Sequence, residues 1–136
     1  MIVLLDTNIL LDVLANRQPY VAASRKLWEL SELSKIEGVI SAISFNNIFY
    51  IVRKAAGNIV ARECLRKLRA IFRPIEVDER ILNQAIDSPI EDFEDAIQYF
   101  TAFRAGASYL VTRNPGDFPK QSPIPVLTAE MFISQR

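Results

Sequence analysis

The first residues of the chain constrain its fold more than any other stretch. Residues 2–5 are all apolar, and Asp6 follows them directly. An uninterrupted apolar run of this length is typical of a central parallel strand that is covered on both faces. A carboxylate directly after such a strand lies where open α/β sheets bind their ligands. The stretch therefore predicts an α/β protein with a functional site at the carboxyl edge of its sheet.

Strand and helix patterns alternate along the rest of the chain. Beyond residues 2–5, the patterns predict strands at 39–43, 74–77, 109–112 and 124–127. They predict helices at 8–15, 20–34, 44–56, 59–72, 78–86 and 92–105, and a last helix capped by Thr128. Ser44 and Asp92 are the expected N-caps of two of these helices. Such alternation favours a three-layer α/β/α fold with a mainly parallel central sheet.

Composition excludes several kinds of chemistry. The chain has no histidine and a single cysteine, Cys64, which excludes imidazole-based triads, histidine zinc sites and internal disulfides. Cys64 follows a helical pattern and is interpreted as a packing residue. The 136 residues, half of them apolar, fit a single domain spanning 1–136. The start of the chain has no basic leader and its apolar run is too short to span a membrane, so we expect a cytoplasmic protein without a membrane partner.

The formal net charge is zero, but the charges are unevenly distributed. Residues 53–73 contain seven basic side chains and one acidic, whereas residues 76–95 contain eight acidic and one basic. This layout predicts one surface for a polyanion and another for cations. Four arginines of the basic segment recur at helical spacing opposite its apolar face: Arg62, Arg66, Arg69 and Arg73. This arginine stripe either contacts a phosphate backbone or is a solvated helix face.

Acidic residues fall in three groups at the boundaries of predicted elements. Asp6 ends the first strand, and Asp117, with Asn114 nearby, lies in the loop after a later strand. The third group occupies the first turn of one helix: Asp92, Glu94 and Asp95. Carboxylates that meet at one edge of a sheet repel each other and need a counter-cation, and oxygen ligands favour Mg²⁺ or Mn²⁺. Asp92 is equally well explained as a helix cap, and Asp117 alone as a turn residue.

Taken together, the motifs resemble a PIN domain over essentially the whole chain. They are Leu5-Asp6-Thr7-Asn8-Ile9-Leu10 followed by Asp12, then Ser41-Ala42-Ile43-Ser44, then Asp92-Phe93-Glu94-Asp95-Ala96, then Val111-Thr112-Arg113-Asn114 with Asp117-Phe118. The chain is similar to the branch that includes VapC-like toxins of bacterial and archaeal toxin–antitoxin pairs. The resemblance implies a metal-dependent endoribonuclease that is commonly a homodimer and commonly silenced by an antitoxin protein.

The resemblance also implies the residues of the site. Three acids match the metal ligands of the family: Asp6, Asp95 and Asp117. Asn114 matches the polar companion of the last acid. Supporting positions are Thr7, Asn8, Ser44, Asp92, Glu94 and Thr112, of which the two threonines match hydroxyls that orient ligands.

One position departs from the pattern of the family. The family usually carries a glutamate three residues past a Ser or Thr, and here Asn47 takes its place after Ser44. The amide oxygen of Asn47 can ligate an ion or hold a water, but it carries no charge and cannot act as a base. Glu94 could compensate, although a helical neighbour of Asp95 points about 100° away from it.

Three functions follow as hypotheses. The leading one is metal-assisted hydrolysis of RNA phosphodiester bonds, with Asn47 and Asn114 orienting water or phosphate oxygens and the arginine stripe contacting the RNA backbone. The alternative is a degenerate PIN domain that binds RNA or a protein partner with little or no cleavage. The third is a phosphatase or phosphotransferase with a nucleophilic aspartate, but Asn8 stands where that class usually has a second acid.

Aromatic side chains offer a second possible contact with nucleic acid. Phe45, Phe49 and Tyr50 could stack on bases. They follow the inward pattern of a predicted helix, however, which favours core or dimer contacts. Trp28 is interpreted in the same way.

Overall fold

A computed structural model describes residues 1–136 of the chain. Its strands are β1 (Ile2–Leu5), β2 (Glu37–Ser41), β3 (Arg73–Ile75), β4 (Tyr109–Val111) and β5 (Val126–Leu127). Its helices are α1 (Thr7–Leu14), α2 (Val21–Glu32), α3 (Ala42–Ala56), α4 (Asn58–Ile71), α5 (Glu79–Ile86), α6 (Phe93–Ala105) and α7 (Ala129–Ser134). Every predicted element is present.

The five strands form one sheet in the order β3-β2-β1-β4-β5, and every neighbouring pair is parallel. β1 lies in the centre, with Leu4 paired to Val39 on one side and to Leu110 on the other. Because all strands run in the same direction, their carboxyl ends meet at one edge of the sheet. The residues that follow β1, β2 and β4 are therefore neighbours in space.

Helices cover both faces of the sheet. Alternate strand residues enter two separate cores, with Val3 and Leu5 in one and Leu4 in the other. The first core also receives α1, α2, α3, α4 and α7, and Trp28 and Phe72 meet edge to face inside it at 5.2 Å. α5 and α6 supply the apolar side chains of the opposite face. The predicted three-layer α/β/α architecture and the buried Trp28 are confirmed.

The boundary between β2 and α3 differs from the prediction. The strand was expected at 39–43 with Ser44 as the cap, but β2 ends at Ser41, whose side chain accepts a hydrogen bond from the Ile43 N–H at 3.3 Å. Pairing of Glu37 with Ile2 fixes the register of β2 and hence its end. Ser44 lies inside the helix and is fully buried.

Other helix ends follow their local signals. Asp78, Asp92 and Thr128 accept hydrogen bonds as N-caps of α5, α6 and α7, and Gly106 ends α6 at a φ of 67°. Two large apolar side chains, one at the end of α2 and one on α3, are accessible to solvent: Leu33 by 67% and Ile51 by 45%. The longest helix, α3, has 15 residues, and none of the seven combines the length and apolar character needed to cross a membrane.

Gly38 permits the close approach of α2 and Phe72 to β2, which gives a test of the packing. A Cβ at Gly38 would lie 2.5 Å from Ser31 Oγ and 2.7 Å from Phe72 Cδ1. We expect Gly38→Ala to reduce the free energy of unfolding by about 1–3 kcal/mol, because the buried ring must shift. Thermal unfolding measures the change. Gly116→Ala, whose Cβ would meet nothing within 4 Å, is the matched control; equal melting temperatures for the two variants would contradict this account.

Candidate functional site

A cleft of about 540 Å³ opens at the carboxyl edge of the sheet. Its acidic lining comes from three separated parts of the chain: Asp6, Asp92, Glu94, Asp95 and Asp117. Polar and apolar side chains complete the wall: Thr7, Asn8, Leu11, Asn47, Tyr50, Ile51 and Asn114. The structure thus brings the predicted acids and both predicted catalytic asparagines to one cleft.

Asp6 is the buried floor of the cleft, with only 3% of its surface exposed. It follows β1 and caps α1: its Oδ1 accepts the Thr7 N–H at 2.7 Å, and its Oδ2 accepts the Thr112 hydroxyl at 2.8 Å. Burial raises the pKa of Asp6 to about 6, against these two hydrogen bonds, and the charges of Glu94 and Asp92 add to the rise. The hydroxyl of Thr112 thus fixes one oxygen of the Asp6 carboxylate.

The first turn of α6 supplies three more acids. Asp92 caps the helix by accepting the Asp95 N–H at 2.9 Å, so the capping interpretation of Asp92 holds alongside its place in the cleft. Burial, followed by the charges of Asp6, Asp92, Asp117 and Glu94, raises the pKa of Asp95 to about 7. Four nearby carboxylates therefore oppose the ionisation of Asp95, which is the mutual repulsion that the sequence predicted.

None of the five acids in the cleft forms an ion pair within the chain. Asp12, six residues after Asp6, provides the contrast. It is fully buried, but the Arg113 guanidinium pairs with it and Ser24 Oγ donates to it at 3.4 Å. Asp12 does not line the cleft. Of the two buried aspartates near the start of the chain, only Asp12 pairs with a cationic side chain.

A buried hydrogen-bond network lies behind the cleft and was not found from the sequence. Gln98 Nε2 donates to Ser44 Oγ at 3.0 Å and to Thr7 Oγ1 at 3.3 Å, and the two hydroxyls lie 2.8 Å apart. The Thr7 hydroxyl donates its one proton to Glu94 Oε2 at 2.8 Å. In the hydrogen bond between Thr7 and Ser44, the Ser44 hydroxyl is therefore the donor. The network joins α1, α3 and α6 and holds Glu94. Gln98 lies one turn after Glu94 among buried residues of α6. A polar side chain at such a position indicates a buried hydrogen bond, and this spacing is the sequence signal for Gln98.

The remaining predicted residues lie along the rim. Asn8 Oδ1 accepts the Arg113 N–H at 3.3 Å, which ties α1 to the loop after β4. That loop carries Asn114 and ends in a single 3-10 turn, Pro115–Asp117, where Asp117 is exposed. Asn47 is half-buried one turn after Ser44. Tyr50 was expected in a core or dimer contact, and with 53% of its surface exposed it is not a core residue of this chain.

The donor set suits a hard divalent cation. All of its donors are oxygen atoms. The pKa of Asp95 is raised by burial and by the charges of neighbouring carboxylates, and a bound cation would offset that repulsion. No group of three or more His, Cys, Asp or Glu side chains is arranged as a ready-made metal site. The oxygen atoms of these residues are ligands that suit Mg²⁺ or Mn²⁺. To share one ion, the carboxylates would have to lie closer to one another than they do in this structure.

The arginine stripe is divided by the fold. Arg62, Arg66 and Arg69 are exposed on α4. Arg73 is not part of that helix, because it begins β3 and pairs with Glu37 at 3.0 Å. The start of a parallel strand lies at the amino edge of the sheet, opposite the cleft. The prediction that Arg73 continues the helical stripe of the other three arginines is therefore wrong.

Fold and cleft together define an α/β protein with an acidic site at the carboxyl edge of a parallel sheet. The chain belongs to the PIN-domain family, whose model matches residues 2–115. No curated protein matches the chain in sequence.

Solved structures share the fold at low sequence identity. VapBC2 from Rickettsia felis, bound to a DNA fragment from its promoter, is 21% identical, with a TM-score of 0.70 over 93% of this chain and 97% of that one. VapBC-1 from nontypeable Haemophilus influenzae is 19% identical, with a TM-score of 0.70 over 96% and 99%. VapC20 from Mycobacterium tuberculosis, a Sarcin-Ricin loop cleaving toxin, is 16% identical, with a TM-score of 0.63 over 79% and 86%. At these identities the likeness is one of fold.

Burial and mutual repulsion of the acids in the cleft make the stability of the metal-free protein dependent on pH. Because the pKa values of Asp6 and Asp95 are raised to about 6 and about 7, the folded chain binds more protons than the unfolded chain between pH 4 and 7. Their contribution to stability therefore falls as pH rises through that window. We expect Asp95→Asn to raise the melting temperature in EDTA by roughly 3–5 °C at pH 8, after allowance for solvent screening, and to have little effect at pH 4.

Asp87→Asn is the control for this change, since Asp87 is exposed at the end of α5. Thermal unfolding of the three proteins across the pH range measures the difference. A gain for Asp95→Asn that is the same at pH 4 and pH 8 would show that its carboxylate is not repelled in the folded state.

Proposed function

We propose that the chain is a Mg²⁺- or Mn²⁺-dependent endoribonuclease and the toxin component of a toxin–antitoxin pair. One observation carries the proposal: five acids line one cleft at the carboxyl edge of the sheet, and none of them has a cationic partner in the chain. Phosphodiester hydrolysis by divalent cations uses such carboxylate clusters. Membership of the PIN-domain family supports the same activity.

Asp6, Asp95 and Asp117 are the residues that would hold the ion. The chemistry that such an ion supplies is acidification of water and neutralisation of charge on the scissile phosphate. Thr112 and the Thr7 N–H fix the carboxylate of Asp6 through the two hydrogen bonds described above. Thr7 itself keeps Glu94 directed at the cleft. The amides of Asn47 and Asn114 would donate to phosphate oxygens or orient water, and neither can accept the proton of the attacking water.

The partners belong to the same proposal. The structures of similar fold include VapBC toxin–antitoxin proteins, and we expect an antitoxin protein to bind and silence this chain. Apolar side chains exposed on the helices, among them Ile59 at 82% and Ile86 at 64%, offer area for an antitoxin and for a second copy in a homodimer. RNA is the proposed substrate and the cytoplasm the proposed location.

Cleavage tests the proposed activity. Purified protein is expected to cut RNA in Mg²⁺ or Mn²⁺ and to stop when EDTA is added. Asp6→Asn and Asp95→Asn should each lower the cleavage rate at least ~100-fold, because each removes charge where the ion would be held. Asp87→Asn, which removes an acid outside the cleft, should leave the rate unchanged. Cleavage that survives both substitutions would refute the site.

A second function is favoured by the neutral amide of Asn47 in the cleft, where the resemblance leads us to expect glutamate. A degenerate domain would bind RNA or a protein with little cleavage. Asn47→Glu separates the two functions: a degenerate parent should gain at least ~10-fold in rate, since a carboxylate strengthens the binding of a divalent cation. An active parent should change little. Asn46→Glu adds the same charge at an exposed neighbouring position and is the matched control.

A further inference from the structure

We propose that single-stranded RNA leaves the acidic cleft across the outer side of α3 and continues along α4, on a track formed by Tyr50, Arg53, Phe49, Arg62, Arg66 and Arg69. The inference rests on the proposed ribonuclease function and adds a substrate-binding surface outside the cleft. It also gives an account of the basic segment that the acidic site leaves unexplained.

Tyr50 begins the track at the wall of the cleft. More than half of its surface is exposed, although it is a large aromatic residue on a helix. Its ring meets the ring of Phe49 edge to face at 5.2 Å, and the Arg53 guanidinium carbon lies 5.3 Å from its centroid. An aromatic ring steadied by a neighbouring ring and an arginine is a stacking platform for a nucleobase.

The track is continuous around α3. At about 100° per residue, Arg53 lies about 60° around the helix from Tyr50, and Phe49 lies about 40° further in the same direction. These side chains therefore lead from the cleft wall to the side of α3 that faces α4. There the guanidinium carbon of Arg62 lies 5.4 Å from the centroid of the Phe49 ring. Aromatic and basic side chains thus follow one another across the junction of the two helices.

Beyond Phe49 the track enters a groove of about 280 Å³ between α3 and α4, where Arg62, Arg66 and Arg69 line one wall. Their charges are available to phosphates. Arg69 forms no ion pair, and Arg66 pairs only with Glu63 through side chains that are 57% and 61% exposed. Such an exposed pair contributes little to stability, so a phosphate can replace it.

Charge complementarity identifies the occupant as a polyanion, and the aromatic rings favour RNA over an acidic protein segment. The cleft itself repels phosphates with its five carboxylates, so a basic surface beside it would supply the attraction that the cleft lacks. Every base has a π face that can stack on Tyr50, whereas acidic side chains have none. Arg73, at the opposite edge of the sheet, lies off the track.

Binding can be measured apart from cleavage. Fluorescence anisotropy with a labelled single-stranded RNA of about 15 nucleotides in EDTA reports affinity without hydrolysis. The triple variant Arg62→Ala, Arg66→Ala, Arg69→Ala is expected to bind at least ~10-fold more weakly, and to reduce the slope of log affinity against log salt by about 2. The matched control is Arg25→Ala, Lys26→Ala, Lys35→Ala, which removes three exposed positive charges elsewhere and should keep wild-type affinity.

Tyr50 is tested by a second pair of variants. Tyr50→Ala should weaken binding roughly 5- to 50-fold, and Tyr50→Phe should retain it, because stacking needs the ring and not the hydroxyl. Circular dichroism confirms that each variant is folded.

The outcomes separate the track from the proposed function. A protein that cleaves RNA but loses no affinity in the track variants would overturn the track and leave the ribonuclease intact. Equal losses in the two triple variants would also overturn it, since charge alone would explain the binding. Competition by polyglutamate as strong as by RNA, with no effect of Tyr50→Ala, would identify a protein-binding surface instead. A wild type that binds through the track without cleaving would support the track and refute the nuclease activity.

Discussion

A buried carboxylate without a cation is the constraint on which the rest of the structure depends. Asp6 is nearly inaccessible, and only neutral donors contact it: one backbone N–H and one hydroxyl. Desolvation of an ionised carboxylate is expensive, and two neutral hydrogen bonds leave its pKa at about 6. Three acids of α6 and one of the loop after β4 add to the negative charge around it. An arrangement that raises the energy of its own folded state is typical of sites that bind a charged ligand.

The fold keeps these acids together in spite of their repulsion. β1 pairs with β2 and β4 at once, so the segments that follow all three strands leave the sheet side by side. Asp92, as the cap of α6, directs the partly positive start of that helix towards the cleft, which offsets some of the negative charge. The Gln98 network then joins α6 to α1 and α3 by side chains that are entirely buried. Because the hydrogen bonds among Gln98, Thr7 and Ser44 are buried, they hold the three helices together although the chain supplies no cation to the cluster.

Sequence reasoning succeeded where the signal is local and failed where partners are distant in the chain. The β1–Asp6 junction, the caps of α5, α6 and α7 and the glycine after α6 each depend on a few adjacent residues. Ser44 was the predicted cap of α3, whereas the pairing of β2 with β1 ends the strand at Ser41 and makes Ser41 the cap. Gln98 contacts residues 54 and 91 positions away, and helical spacing alone does not reveal which helices meet. Tyr50 follows the apolar period of α3, yet more than half of its surface is exposed.

The ion pair of Asp12 with Arg113 has a consequence for how essential acids are recognised. The guanidinium lies 4.1 Å above the Tyr20 ring, its Nε has no partner, and the backbone of the same residue is held by Asn8. Removing Asp12 would leave a largely buried positive charge uncompensated next to the loop that bears Asn114, at a penalty of about 3–5 kcal/mol. Loss of activity in such a variant would report a displaced loop. An alanine scan that ranks aspartates only by the cleavage activity left in each variant would thus count Asp12 among the metal ligands. Asp12 is instead the counter-ion of Arg113 inside the chain.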